Sequence, residues 1–251
     1  MFFIISFCTK CKKEQCQFGD STDTSFIIGD ASNNFTLVTF ESTVKLIGLR
    51  NSPAKYYLDI DNDGHLDLEF CSDFTMSRGG VAHQESSIRI LNSEIEISVR
   101  EQSDTIHICN EVFYNQQLNI TSNKVTTYNS QSTFSCSEAN TDSATIINTG
   151  HYPQVYKEGE SMDSLITWRK ENLIFSSYNS SVYSYPITID SVYVENYSIA
   201  RGLWNNTSLN YLLFRIRIAD NYSYGWVQIS IHDYMEIWLH NYAVQKNAFC
   251  L

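Results

Sequence analysis

The sequence predicts an all-β protein: an antiparallel β-sandwich with little helix. Three observations carry that expectation. Short runs rich in β-branched and aromatic residues alternate apolar and polar positions along most of the chain, the period-two signature of half-buried strands. Clusters of Asn, Asp, Ser and Thr separate these runs, as turns require. Only Ser164 to Phe175 has a pattern that a turn or two of helix would fit, and no segment repeats at solenoid length.

The 251 residues suffice for one large β domain or two small ones. Strand signals continue from Phe35 to the C-terminus, so a single sandwich domain over 35–251 is expected. The chain begins Met1-Phe-Phe-Ile-Ile-Ser-Phe7, followed by Cys8-Thr-Lys-Cys11-Lys-Lys-Glu14. A short apolar run, a cysteine and then charge resembles the end of a bacterial lipoprotein signal, here covering residues 1–16. That likeness implies Cys8 or Cys11 as a lipid anchor. Two departures stand against it: Phe7 and Lys10 occupy the positions before the cysteines where a small residue is expected, and the apolar run is short for a signal peptide. Gln17 to Asn34 is rich in Ser, Thr, Asp and Asn and reads as a tether.

Strands are expected at Phe35–Phe40, Val44–Leu49, Tyr56–Ile60, Leu66–Cys71, Ser87–Leu91 and Glu94–Arg100. Asn92-Ser93 would make a tight hairpin between the last two. Residues 115–142 are dense in Asn, Gln, Ser and Thr, and read as a long polar loop with weak strands. In the final third, Leu212, Phe214, Ile216 and Ile218 alternate with polar or outward positions. Val227, Ile229 and Ile231 continue the inner face after a turn at Asp220–Ser223, and Met235, Ile237 and Leu239 follow.

Asp59-Ile-Asp61-Asn-Asp63-Gly64-His65-Leu-Asp67 carries the clearest chemistry. Alternating carboxylates repel one another unless a hard cation lies among them. The spacing matches the front of an EF-hand-type loop, with side-chain oxygens at Asp59, Asp61 and Asp63 and a turn at Gly64. The carbonyl of His65 and the carboxylate of Asp67 would complete the set. Phe70 stands where the bidentate Glu is usual, which places the expected Ca²⁺ affinity in the weak extracellular range of ~10⁻⁴–10⁻³ M. The alternative is a solvated acidic turn.

A second candidate comes from strand register. Pairing Ile231 with Met235, Ile229 with Ile237 and Ala219 with Tyr224 keeps the apolar face continuous. It also sets Arg217, Trp226 and His240 in one row, and Arg215, Gln228 and Trp238 in the next. Two indoles flanked by arginine, glutamine and histidine would suit stacking on a sugar ring. The alternative is that these aromatics pack beneath a loop or a second sheet.

The formal charge of −11 argues against a nucleic-acid partner. There is no HExxH, GxSxG or GxxxxGK[ST] motif, and the six histidines are scattered. The seven cysteines show no zinc spacing; disulfides in an oxidising compartment and buried free thiols both remain open.

The Asp59–Asp67 loop resembles a feature of uncharacterised secreted lipoproteins of Bacteroidota. So do Leu165-Ile-Thr-Trp168 and the terminal Phe214-Arg-Ile … Tyr224-Gly-Trp-Val-Gln-Ile-Ser … Asn241-Tyr-Ala243. The resemblance implies export, a β-rich fold and no established activity. The combined expectation is a non-enzymatic, lipid-anchored cell-envelope protein with a Ca²⁺-stabilised turn, held to the outer membrane only through its N-terminal lipid. Its partner would be a glycan or a cell-surface protein. The rival expectation is a carbohydrate-active hydrolase, which needs two carboxylates across a cleft.

Overall fold

Alternation becomes strand almost everywhere. The computed structural model describes residues 26–31, 34–77, 80–116, 120–129, 131, 142–162, 165–188 and 191–246. The lipoprotein-like N-terminus, with Cys8 and Cys11, and the first part of the expected tether lie outside them. The strands are β1 (Phe35–Leu46), β2 (Ala54–Leu58), β3 (Leu68–Met76), β4 (Ala82–Ile90), β5 (Ile95–Asn115), β6 (Ile120–Asn129) and β7 (Asp142–Pro153). They continue with β8 (Thr167–Arg169), β9 (Leu173–Thr188), β10 (Ser191–Gly202), β11 (Thr207–Ile218), β12 (Asn221–His232) and β13 (Glu236–Gln245).

All thirteen belong to one sheet, in the order β1-β13-β12-β11-β5-β6-β10-β9-β4-β3-β2, with β7 and β8 also paired to β5. The sheet curls until β1 and β2 approach, giving a nearly closed barrel. The all-β expectation holds, but two antiparallel layers do not form. β6 and β10 run parallel, so the sheet is mixed. Alternation says which side chains face inward; it is silent about which strand lies beside which.

β5 makes the difference. Its first residues, Ile95–Ile97, pair with β11 inside the barrel. Val99 is a fork, pairing with Thr167 of β8 and Pro153 of β7. Beyond it the strand runs on between β7 and β6. With β10 and the far half of β9, this portion forms a wing that extends from the barrel.

The barrel interior is one cluster that includes Leu68, Phe70, Ile95, Ile97, Phe175, Trp204, Phe214, Val227 and Leu239. Each such side chain stabilises the fold by about 1.5–3 kcal/mol through burial. Phe70 and Phe175 stack at 6.2 Å, Trp204 meets Phe175 edge-on at 5.4 Å, and the Trp204 indole N–H donates to the Pro153 carbonyl at 2.8 Å. A second cluster lies on the outer side of β11–β13, where Ile28, Tyr156 and Met162 cover Tyr211, Leu213, Trp226 and Ala243.

Several local expectations are corrected. Phe35–Phe40 and Val44–Leu49 fuse largely into β1, which carries a register shift between Thr39 and Val44. β4 and β5 do not pair: the chain turns at Asn92 and crosses to a distant part of the sheet. The stretch with helix-like pattern supplies β8 and the start of β9 instead. Within the polar stretch 115–142, β6 is a full strand paired on both sides; its threonines and asparagines satisfy the ladder without an apolar pattern to announce it. Of the rest, 117–119, 130 and 132–141 lie outside the described residues.

The seam between β1 and β2 has no hydrogen-bonded ladder. Aromatic rings span it: Phe40 meets Tyr56 edge-on at 5.8 Å and Tyr242 at 6.0 Å. Gly225 shows how tightly β12 packs. A Cβ there would fall inside the contact radii of the Phe214 ring and the Ala243 carbonyl. Gly225→Ala is therefore expected to lower unfolding free energy by about 1–3 kcal/mol, the usual cost of overpacking, as measured by urea denaturation.

Candidate functional site

The loop from Asp59 to Asp67 joins β2 to β3, and its backbone reverses through left-handed Asn62 (φ 58°) and Gly64 (φ 91°). Asp67, immediately before β3, is buried, at 1% exposure. Its carboxylate accepts the Ile60 N–H at 2.7 Å and the Asn92 amide at 2.8 Å. Its backbone carbonyl accepts the N–H groups of Leu91 and Asn92. The loop is thus tied to the β4–β5 crossover.

The fold brings three of the expected ligands together. Carboxylate oxygens of Asp59, Asp61 and Asp67 lie within 4.8 Å of one another. Asp59 Oδ2 accepts the Gly64 N–H at 3.0 Å, and Asp61 Oδ1 accepts that of Asp63 at 3.2 Å. Asp59 Oδ1 is buried and has no hydrogen-bond partner. Asp63 and His65 are exposed at the loop tip, where the Asp63 carboxylate accepts the His65 N–H at 2.7 Å, and they are not part of the carboxylate cluster.

Electrostatics around the loop reflect crowded negative charge. Burial, followed by the neighbouring carboxylates, pushes Asp61 above the ordinary aspartate range. Burial also raises Asp67, against the lowering effect of its hydrogen bonds from Asn92 and Ile60. Tyr242, whose hydroxyl donates to the Asp59 carbonyl at 3.4 Å, is pushed up to about 12 by burial and then by Asp59. Asn92 and Tyr242 were invisible as loop partners in the sequence, because only the crossover and the curl of the sheet bring them there.

The donor set suits a hard cation. Three carboxylates with one buried oxygen lacking a partner offer charge and lone pairs that no side-chain cation of the described residues satisfies. Glu69, two residues further on, faces away. Lys55 binds it at 3.1 Å, and Arg89 lies 3.8 Å away.

The aromatic row proposed for sugar stacking does not form. Its register is four residues off at the first hairpin, where Arg217 lies opposite Tyr222 and Ile218 pairs with Asn221 across a turn at Ala219–Asp220. At the second, His232 pairs with Glu236. There the turn residues Asp233 and Tyr234 take left-handed φ, and their N–H groups are held by the Asn206 and Asn205 side chains. A bulge between Gln228 and Ile229 then displaces β13, so Trp226 lies opposite Ala243 and Gln228 opposite Asn241.

Each residue of the row has another task. Trp226 is 2% exposed, beneath the segment Phe26–Ala31 and edge-on to Tyr211 at 5.1 Å. That segment, the end of the expected tether, is fixed by Ile28 donating to Glu160 O and Met162 donating to Phe26 O. Trp238 is covered by Lys45 at 4.1 Å and His232 at 4.6 Å. Arg215 pairs with Glu96 and lies over Trp168 and Tyr222. Arg217 donates to the Ala219 carbonyl at its own turn, and Gln228 bridges the Tyr211 hydroxyl and the Asn241 amide. His240 Nε2 and the buried Ser230 hydroxyl share a hydrogen bond of 2.9 Å, and burial holds the imidazole below the usual histidine range.

Carboxylates do gather in one groove of about 370 Å³ on the outer face of β3 and β4, lined by Glu69, Asp73, Glu85, Cys71 and Arg89. Asp73 and Glu85 are cross-strand neighbours and rise side by side from its floor. Burial alone would raise Glu69, but hydrogen bonds from Lys55 and Tyr57 outweigh it and hold the carboxyl below the ordinary range. A general acid needs the opposite shift. The Cys71 thiol is free and pushed up by burial, away from thiolate chemistry. Cys109 is in a disulfide, so the described cysteines include one of each expected kind.

Trp226→Ala is expected to act as a core truncation, lowering stability by about 3–5 kcal/mol in urea denaturation. No family model matches the chain, and searches of curated proteins and of solved structures return no match.

Proposed function

We propose that this is an exported, lipid-anchored, non-enzymatic scaffold of the cell envelope, with Ca²⁺ bound between β2 and β3. The observation that carries this reading is the orphaned Asp59 Oδ1, buried beside the Asp61 and Asp67 carboxylates. A buried carboxylate oxygen without a partner is costly, and a divalent cation among the three carboxylates removes both that cost and their mutual repulsion. Asp59, Asp61 and Asp67 would hold the ion, which would supply structural cross-linking and no bond chemistry. Its place matters: Asp59 bonds to Tyr242 of β13 and Asp67 to Asn92, so an ion here stiffens the ladderless seam and the crossover together.

Export is supported by the disulfide at Cys109, since such bonds persist in oxidising compartments. A non-enzymatic role is supported by the direction of two shifts in the acidic groove: Glu69 is held down where a general acid needs to be raised, and the Cys71 thiol is raised where a nucleophile needs to be lowered. The partner class stays with a glycan or a cell-surface protein, engaged elsewhere than at Trp226.

Calcium should raise the thermal midpoint in a saturable way, by an amount equivalent to about 2.7 kcal/mol at a hundredfold excess over Kd. Millimolar concentrations are required if affinity is in the ~10⁻⁴–10⁻³ M range. Asp59→Asn and Asp61→Ala should each abolish the response. A melt unchanged between chelator and excess calcium sinks the metal reading.

A further inference from the structure

The wing lacks the apolar burial that holds the barrel together. Among its buried positions are Asp104, Glu111, Thr126 and Asn196, and a body with so small an apolar core depends on covalent staples. Cys109 supplies one: it is 2% exposed on β5 and forms a disulfide, whereas Cys71 is free. Its partner is therefore one of Cys8, Cys11, Cys16, Cys136 and Cys250, all outside the described residues.

Strand register narrows the choice. β6 and β7 flank β5 on its two edges: Asn129 at the end of β6 pairs with Ile106, and Asp142 at the start of β7 pairs with Asn110. Cys109 lies within that span, beside Thr126 on one edge and Ser143 on the other. Residues 130–141 extend at most about 43 Å, and the way round the end of β5 at Asn115 is about 48 Å, so the connection has to cross β5 itself. Burial marks the face. Cys109 and Glu111 are buried, while Asn110 and Val112, which alternation sends to the other face, are exposed.

We infer that Cys109 is bonded to Cys136, and that this disulfide straps the β6–β7 connection to the centre of the wing. Cys136 is five residues from Gln131, whose amide donates to Asp104, and six from Asp142. Those lengths of chain span about 17 and 20 Å, enough to reach Cys109 from either anchor. The other cysteines are poorly placed. Val244, Gly225, Phe214 and Ile97 form one row across the barrel, and Cys109 lies twelve residues, about 40 Å, further along β5. Cys250, four residues beyond Lys246 at the end of that row, spans only about 14 Å. Cys16 precedes Phe26, which packs on Phe35 and Tyr224 at the same end of the barrel, by a chain of about 35 Å at full stretch. Cys8 and Cys11 arrive only on a chain drawn nearly straight, at a large entropic cost.

The test is a tryptic map of the native full chain, alkylated and digested without reductant. Trypsin places each cysteine on a separate peptide, and fragments 101–124 and 125–157 should appear as one cross-linked species that separates on reduction. Cys16→Ser and Cys250→Ser should leave that species intact, and Cys136→Ser should open Cys109 to alkylation in denaturant. For the strap, dithiothreitol returns both sulfurs to thiols as it closes into its own cyclic disulfide. Amide exchange in β6 and β7 should then rise by about tenfold or more, with β12 and β13 unchanged. Cys109 linked to any other cysteine or to a second copy, or recovered as a thiol, overturns the pairing, and the native map decides this whether or not the serine variants fold. Exchange in β6 and β7 that is unchanged after reduction overturns the strap.

Discussion

The buried carboxylate of Asp67 is the interaction around which this barrel is organised. One side chain receives the Ile60 N–H and the Asn92 amide, while its own backbone joins Leu58 on one side and Leu91 and Asn92 on the other. β2, β3, β4 and the crossover into β5 therefore meet at a single residue. Charged groups are seldom buried without such satisfaction, since an unpaired one costs several kcal/mol. The crossover matters because it sends β5 away from β4 to the opposite side of the barrel, where Ile95 and Ile97 complete the core.

The same arrangement explains why acidic side chains accumulate at the β2–β3 loop. The barrel stops short of closure, so the β1–β2 seam depends on aromatic contacts and on the Tyr242–Asp59 bond. Local turn bonds involving Asp59, Asp61 and Asp63 shape the loop, while burial and then the neighbouring carboxylates raise the proton affinity of Asp61 and Tyr242. The cation proposed for this place would act on the least cross-linked part of the sheet, a structural task of the kind the proposed scaffold role requires.

The wing follows a different logic. Its strands bury polar groups such as Asp104, Glu111, Thr126 and Asn196. Burial raises the Asp104 carboxyl above its usual range despite hydrogen bonds from Gln102 and Gln131. The apolar barrel core carries the packing, and the wing is a polar extension of the same strands.

Sequence alone determined the all-β class, most strand positions and one acidic loop holding Asp59, Asp61, Asp63, His65 and Asp67, because alternation and turn spacing are local properties; which three of them converge was decided by the fold. Tertiary structure decided everything that depends on who sits beside whom. A two-residue difference at the second hairpin, whose turn is held by the distant Asn205 and Asn206 side chains, together with a bulge between Gln228 and Ile229, moved Trp226 out of line with His240, and it lies under the Phe26–Ala31 segment. The barrel in place of a sandwich, the parallel β6–β10 pair and the orphaned oxygen of Asp59 arise likewise from contacts across long stretches of chain. Hydrophobic pattern is blind to such contacts, since one apolar face satisfies many pairings equally well.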